Sequence, residues 1–99
     1  MKHTLVRYRT RPELADENQR LIEAVFRELH AEKTHGLRYL ALRFTDGTFV
    51  HFAASEGDTS LLTGLGAFRA FQAGVRQRCL ELPHSEEPTV VGSYRMLGQ

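Results

Sequence analysis

The sequence contains one cysteine and no tryptophan in 99 residues, and it has no long hydrophobic run. A single cysteine, Cys79, excludes a disulfide within the chain and leaves no cysteine pair for a metal knuckle. No stretch is apolar for long enough to predict a signal peptide or a membrane span. We therefore expect a cytoplasmic protein.

An excess of charge of one sign is also missing, because 13 basic and 12 acidic residues give a net charge of +1. Proteins that bind nucleic acid usually carry a larger basic excess. Hydrophobic residues make up 41% of the chain and charged residues 25%, which is ordinary for a globular domain. Neither a repeat nor a linker divides the sequence, so we expect residues 1–99 to form a single domain.

The hydrophobic periodicity predicts four strands and two helices. The strands are expected at 3–10, 37–45, 48–55 and 89–97, with a loop over "LPHSEEP" (82–88). One helix is expected from Pro12 to near Lys33, and a second between 61 and 79 that begins as a separate short turn at Gly64 and Gly66. The order β-α-β-β-α-β predicts a ferredoxin-like α+β fold, with a four-stranded antiparallel sheet and both helices on one face.

The hairpin "FTDGTFVHF" (44–52) sets the expected faces of the sheet. Asp46-Gly47 is typical of a two-residue turn, which would pair Leu42 with His51. This register predicts two groups of side chains on opposite faces: Leu40, Leu42, Phe44, Phe49, His51 and Ala53 on one, and Leu37, Tyr39, Ala41, Arg43, Val50 and Phe52 on the other.

Both predicted faces are largely apolar, yet two helices can cover only one of them. An exposed apolar face usually marks an interface. The simplest cover is a second copy of the chain, which predicts a homodimer through the sheet faces. A helical cover supplied by another protein would satisfy the same need.

Four segments carry a resemblance to a known family: "VRYRTRP", "GLRYLALRF", "FVHFAASEGD" and "LGAFRAF". They are similar to segments of the dimeric α+β barrel proteins, and within these to the antibiotic-biosynthesis-monooxygenase-like group. The resemblance implies a homodimeric enzyme that oxidises a small, partly aromatic organic molecule with no metal, flavin or other cofactor. A non-catalytic ligand-binding or stress-related dimer is the alternative from a different class of function.

The chain departs from that family at two points. Members of the family often have a histidine where this chain has Leu62. The haem-degrading relatives use a tryptophan in the third strand, and this sequence has none. The resemblance therefore implies the fold more strongly than the activity.

His51 is the candidate catalytic residue, because imidazole transfers protons near neutral pH. The resemblance places the family's pocket at Ala53 and Ser55, which share a face with His51, so we expect His51 to point toward the helices. Asn18 and Gln72 lie on the apolar stripes of the two helices and are candidate ligand-binding residues beside it. The alternatives are a hydrogen-bonded core or interface histidine and two amides that serve only local structure.

The sequence gives less specific indications of function for two arginines and two other histidines. Arg7 and Arg43 could bind an anionic substrate or pair with acidic residues across the dimer. His30 and His35 lack a third ligand at a suitable spacing, so no metal site is predicted.

The element order also occurs in RNA-recognition domains, and "FVHF" matches the end of one of their strand motifs. Gly47 and Val6, however, stand where those domains present aromatic residues for base stacking. We therefore rank nucleic-acid binding below a small-molecule role.

Overall fold

The computed structural model describes residues 2–56 and 60–96. Within them an antiparallel sheet has the strand order β2-β3-β1-β4, formed by β1 (Lys2–Thr10), β2 (Leu37–Arg43), β3 (Thr48–Ser55) and β4 (Cys79–Glu86). The helices are α1 (Ala15–Glu32), α2 (Ser60–Thr63), α3 (Gly66–Ala73) and α4 (Val75–Arg78), and a 3-10 turn (Pro12–Leu14) precedes α1. The predicted ferredoxin-like α+β fold is confirmed.

Helix α1 follows the predicted pattern closely. Pro12 begins the 3-10 turn, where its missing N–H costs nothing. The helix ends at Glu32, and Lys33 caps it in a left-handed conformation with φ 49°. Gly36 has φ +78°, as expected for the residue before β2. The buried side of α1 consists of Ala15, Asn18, Ile22 and Val25.

The second helical region is interrupted, as Gly64 and Gly66 predicted. Leu65 is extended between α2 and α3 (φ −83°, ψ 133°) and is buried. Gly74 ends α3 and separates it from α4. Cys79, at the end of the predicted second helix, is instead the first residue of β4 and is buried. Between β3 and α2, residues 57–59 lie outside the described residues.

The prediction for the last strand is wrong. Strand β4 contains most of the segment expected to be a loop, whereas residues 87–96 have no regular secondary structure and Leu97 lies outside the described residues. The segment contains Pro83, which has no N–H to donate to a neighbouring strand. Strand β4 is an edge strand that pairs only with β1, and the register shifts between Arg7 and Arg9. A proline without an N–H is tolerated at such an edge or irregularity.

The predicted hairpin register is wrong by one residue. Arg43 pairs with Phe49 and Ala41 with His51, and the Phe44 N–H donates to the Thr48 carbonyl at 2.8 Å. The loop thus has three residues and ends at Gly47 with φ +86°, which is the other common hairpin geometry.

A slip of one residue moves every side chain of a strand to the opposite face. Leu37, Tyr39 and Ala41 therefore share the helix-covered face with His51, which corrects their predicted orientation. Leu40 and Leu42 lie on the other face with Val50 and Phe52.

The core lies between the sheet and the helices, and the opposite face of the sheet stays apolar. Tyr8, Val25 and Phe49 are at most 2% exposed in the core. On the other side, Leu40, Leu42 and Phe44 are 40%, 47% and 53% exposed. The prediction of a second apolar face therefore holds, although β2 contributes different residues to it. In residues 2–56 and 60–96, no helix combines the length and apolar character needed to cross a membrane.

Gly47 provides a test of the three-residue hairpin loop. A Cβ at this position would lie 3.2 Å from the Thr10 carbonyl oxygen, on a backbone with φ +86°. We expect Gly47→Ala to lower the free energy of unfolding by about 1–2 kcal/mol or more. Gly92→Ala is the matched control, since its Cβ would meet no atom within 4 Å. Equal stability of the two variants in urea unfolding would contradict the loop geometry.

Candidate functional site

A cavity of about 360 Å³ lies between the helix-covered face of the sheet and the helices. Alternate residues of the strands line it, because side chains alternate between the faces of a sheet. The lining is mostly apolar and includes a few polar groups. The strands contribute Lys2, Thr4, Val6, Tyr8, Leu37, Tyr39, His51, Ala53, Ser55 and Pro83, and the helices contribute Leu61, Leu62, Thr63, Phe68, Phe71, Gln72 and Val75.

His51 lies in the wall of this cavity and faces the helices, as predicted. It is 6% exposed, and its ring lies 5.4 Å from the ring of Phe71 in α3. Both ring nitrogens have partners: Nε2 lies 2.8 Å from the Tyr8 hydroxyl oxygen, and Nδ1 lies 2.5 Å from the Tyr39 hydroxyl oxygen. The imidazole is therefore held between two phenols from the neighbouring strands β1 and β2.

Asn18 extends the hydrogen-bonded group of His51, Tyr8 and Tyr39. Its side chain is fully buried, and its Nδ2 donates to the Tyr8 hydroxyl at 2.9 Å. The Arg78 Nε in turn donates to Asn18 Oδ1 at 3.0 Å. Arg78 is only 7% exposed, and its Nη2 donates to the Phe71 carbonyl at 2.7 Å.

The three predicted site residues occupy different positions relative to the cavity. His51 and Gln72 line it, and Gln72 is exposed. Asn18 is not among the lining residues and reaches the cavity wall only through Tyr8. Ligand binding by Asn18 and Gln72 and catalysis by His51 remain predictions.

Burial shifts the pKa of each of the three ring groups in the direction that favours its neutral form. Desolvation lowers the pKa of His51 to about 4, because it disfavours the charged imidazolium. Desolvation likewise raises the pKa of Tyr8 and of Tyr39 well above the ordinary value for a phenol. For Tyr8, the hydrogen bond from Asn18 and the charge of Arg78 act in the opposite direction and are weaker than burial.

The remaining candidate residues lie elsewhere. Arg43 donates to Asp16 Oδ1 at 3.0 Å and to Gln19 Oε1 at 2.7 Å in its own chain. Arg7 is exposed and pairs with Val50, whose neighbour His51 faces the helices, so Arg7 lies on the opposite face. Across the described ranges, no three His, Cys, Asp or Glu side chains come together in a way that could hold a metal ion.

Sequence reasoning did not identify Tyr8, Tyr39 or Arg78 as members of the site. For Tyr8 a signal was present, because it lies in β1 on the same face as Val6, the partner of His51. Tyr39 was assigned to the wrong face by the two-residue turn. Arg78 precedes β4 at the end of a short helix, where sequence periodicity gives no indication of a buried guanidinium.

Comparison with known proteins supports the fold. No protein-family profile matches the chain, and no curated protein matches it in sequence. Among solved structures, a candidate antibiotic biosynthesis monooxygenase from Nitrosomonas europaea is 13% identical over 90% of this chain and 88% of its own, with a TM-score of 0.73. Rv0793 from Mycobacterium tuberculosis is 18% identical over 92% and 95%, with a TM-score of 0.69.

A third solved structure, named an antibiotic biosynthesis monooxygenase, is 15% identical over 93% of this chain and all of its own, with a TM-score of 0.70. At these identities the likeness establishes a shared small α+β fold with a four-stranded antiparallel sheet.

The buried imidazole predicts a specific pH dependence of stability. In the unfolded chain His51 takes up a proton near pH 6.5, whereas in the folded chain it does so only near pH 4. The unfolded state therefore binds more protons between these values, and stability falls by up to about 3 kcal/mol as the pH drops through this window.

The His51→Gln variant should not show this fall in stability between pH 6.5 and pH 4, because it removes the titrating group and keeps the other four histidines. The measurement is urea unfolding of both proteins from pH 7 to pH 4. Parallel stability curves would contradict a buried neutral His51.

Proposed function

We propose that this chain acts as a homodimeric, cytoplasmic, single-domain enzyme that oxidises a small, partly aromatic molecule with dioxygen, without metal or flavin. The observation that carries the proposal is the cavity of about 360 Å³ whose wall holds His51 between Tyr8 and Tyr39. Ligand sites are commonly of this size and combine an apolar lining with a few polar groups. Similarity to solved structures named as antibiotic biosynthesis monooxygenases supports the same proposal.

The simplest reaction of this kind converts a phenol and one O2 into a quinone and one water. One oxygen atom becomes the new carbonyl, and the other leaves as water with the phenolic and the ring hydrogen. The electron-rich phenolate is the form that reacts, so the phenolic proton passes to solvent first. The residues in the wall would hold the resulting oxyanion, and positioned donors in a poorly hydrated site stabilise such charge. His51, the catalytic candidate, would orient the Tyr39 hydroxyl beside it.

The hydrogen bonds of His51 favour a second function, the binding of a small molecule without turnover. Both nitrogens of His51 already have phenol partners, and burial lowers its pKa to about 4. His51 therefore offers no free nitrogen for a substrate proton at neutral pH. A dimer that binds a small molecule without turnover needs no such base.

The exposed face of the sheet supports the dimer. Leu42 and Phe44 are about half exposed, and such apolar surface usually marks an interface. The segment that follows β4 lies beside the same face, where Val90 and Val91 border a second cavity together with Leu5, Leu40 and Phe52. Val91 is 97% exposed. An isologous contact through this face would cover these side chains in both copies, whereas a helix of another protein is the alternative cover.

Oxygen consumption separates the enzyme from the binding protein. With 1-naphthol as an activated phenol, we expect one O2 to be consumed for each quinone formed, as measured with an oxygen electrode and by absorbance. His51→Gln should lower the rate at least tenfold, because the Tyr39 hydroxyl loses its orientation. Tyr94→Phe is the control, since Tyr94 is 79% exposed and is not among the residues that line the cavity. A rise in Tm with 1-naphthol but no oxygen uptake would favour binding without turnover.

The dimer is tested by light scattering at micromolar concentration. We expect the mass of a dimer for the unchanged protein and that of a monomer for Leu42→Asp, because a charge on the apolar face cannot be desolvated at low cost. Arg20→Asp, on the exposed side of α1, should stay dimeric. A monomeric unchanged protein would refute the proposed assembly.

A further inference from the structure

We infer that the Tyr39 hydroxyl is the hydrogen-bond donor that binds the occupant of the cavity, and that the occupant offers it an acceptor oxygen of the carbonyl or phenolate kind. The inference rests on the proposed use of the cavity as a ligand site. It adds the residue that touches the ligand and the chemical group that this residue recognises. It follows from the direction of each hydrogen bond in a series that starts at Arg78, runs through Asn18, Tyr8 and His51, and ends at Tyr39.

The direction is set at Arg78. A guanidinium has donors and no acceptor, so the 3.0 Å contact of Arg78 Nε with Asn18 requires the amide oxygen of Asn18 on that side. The amide nitrogen of Asn18 is then the atom that faces Tyr8, and it must donate to the Tyr8 oxygen at 2.9 Å. An otherwise ambiguous amide is thereby assigned by its partners.

The orientation of Asn18 fixes the direction of the hydrogen bond between Tyr8 and His51. Its oxygen accepts from Asn18, and its own O–H has an acceptor in His51 Nε2 at 2.8 Å. In the opposite arrangement the Tyr8 oxygen would accept twice, and its hydrogen would have no acceptor among the contacts of the described residues. A buried donor without a partner is strongly disfavoured, and Tyr8 is only 2% exposed.

His51 then has one tautomer. Because Nε2 accepts from Tyr8, the neutral ring carries its proton on Nδ1, and this N–H donates to the Tyr39 oxygen at 2.5 Å. The Tyr39 oxygen is thus an acceptor toward His51, and its own hydrogen remains available. Tyr39 is partly buried and lines the cavity, where an occupant can accept that hydrogen.

The chain of donors begins at a buried cation and ends in the cavity. Each hydrogen bond polarises the next one in a poorly hydrated interior, so the positive charge of Arg78 makes the Tyr39 hydroxyl a stronger donor. The ring of Phe26 lies 5.0 Å from that of Tyr39 and helps to hold it in place. An aromatic ketone or a phenolate fits both the apolar lining and the donor, whereas an ammonium group would meet a donor where it needs an acceptor.

The tautomer can be measured without any substitution. In a long-range 1H–15N correlation spectrum of the protein at pH 7, we expect His51 to show a protonated Nδ1 and an unprotonated Nε2. A protonated Nε2 would overturn the inference, because Tyr39 would then donate to His51 and not to a ligand. This measurement does not depend on catalysis.

Ligand binding provides the second test, with two probes of nearly equal shape. 2-Acetylnaphthalene carries a carbonyl acceptor, and 2-ethylnaphthalene carries none. We expect the ketone to bind about tenfold more tightly, which corresponds to one net hydrogen bond of about 1.4 kcal/mol. Its carbonyl infrared band should shift to lower frequency on binding.

Tyr39→Phe should abolish both the preference and the band shift, while Tyr94→Phe, at a site 79% exposed, should keep both. The inference fails if the unchanged protein does not prefer the ketone, or if folded Tyr39→Phe keeps the preference. If Tyr39→Phe does not fold, the tautomer and the probe preference of the unchanged protein decide. Absence of oxygen uptake with a confirmed ketone preference would refute the proposed oxidation but not the role of Tyr39.

Discussion

The hydroxyl of Tyr8 is the point at which the sheet, the first helix and the cavity are joined. It lies on β1, accepts from Asn18 on α1 and contacts His51 on β3. The ring stacks on Phe49 of β3 at 5.6 Å and lies 6.3 Å from Phe71 of α3. A buried polar group is tolerated only where its hydrogen bonds are made, so these elements must keep one relative arrangement for Tyr8 to stay satisfied.

The same requirement extends to the charged end of the network. Arg78 brings a positive charge into the core, and its guanidinium is held by Asn18, by the Phe71 carbonyl and by the face of the Phe71 ring at 5.4 Å. Breaking such a group of bonds leaves a buried charge without partners, which is far more costly than losing one surface contact. The network therefore stabilises the packing of α3 and α4 while it determines which hydrogen faces the cavity.

The two faces of the sheet differ in the side chains that they present. The helix-covered face combines core packing with a cavity in which burial disfavours the charged forms of the histidine and of both phenols. The opposite face presents Leu40, Leu42 and Phe44 to the outside. A face of this kind is consistent with a sheet made to be covered by another sheet or helix.

The sequence by itself determined the order of the elements, the helix α1 with its ends and the presence of two apolar faces, because these follow from periodicity and from local signals such as Pro12 and Gly36. The orientation of His51 toward the helices was instead implied by the family resemblance, which placed the pocket at Ala53 and Ser55 on the same face of the strand. The order of the elements, the ends of α1 and the two apolar faces depend on neighbours within one strand or helix. Local chemistry is sufficient to specify them.

Tertiary structure decided the rest. Whether Asp46-Gly47 closes a two-residue or a three-residue loop depends on how the loop packs on β1, where the Thr10 N–H donates to the Gly47 carbonyl at 2.9 Å, and that choice placed Tyr39 beside His51. Strand β4 could accept Pro83 only because β4 lies at the edge of the sheet and pairs with a single strand, β1. Arg78 and Asn18 meet across 60 residues of sequence. Long-range packing brings such groups together, and the periodicity within one segment cannot predict a contact with a distant one.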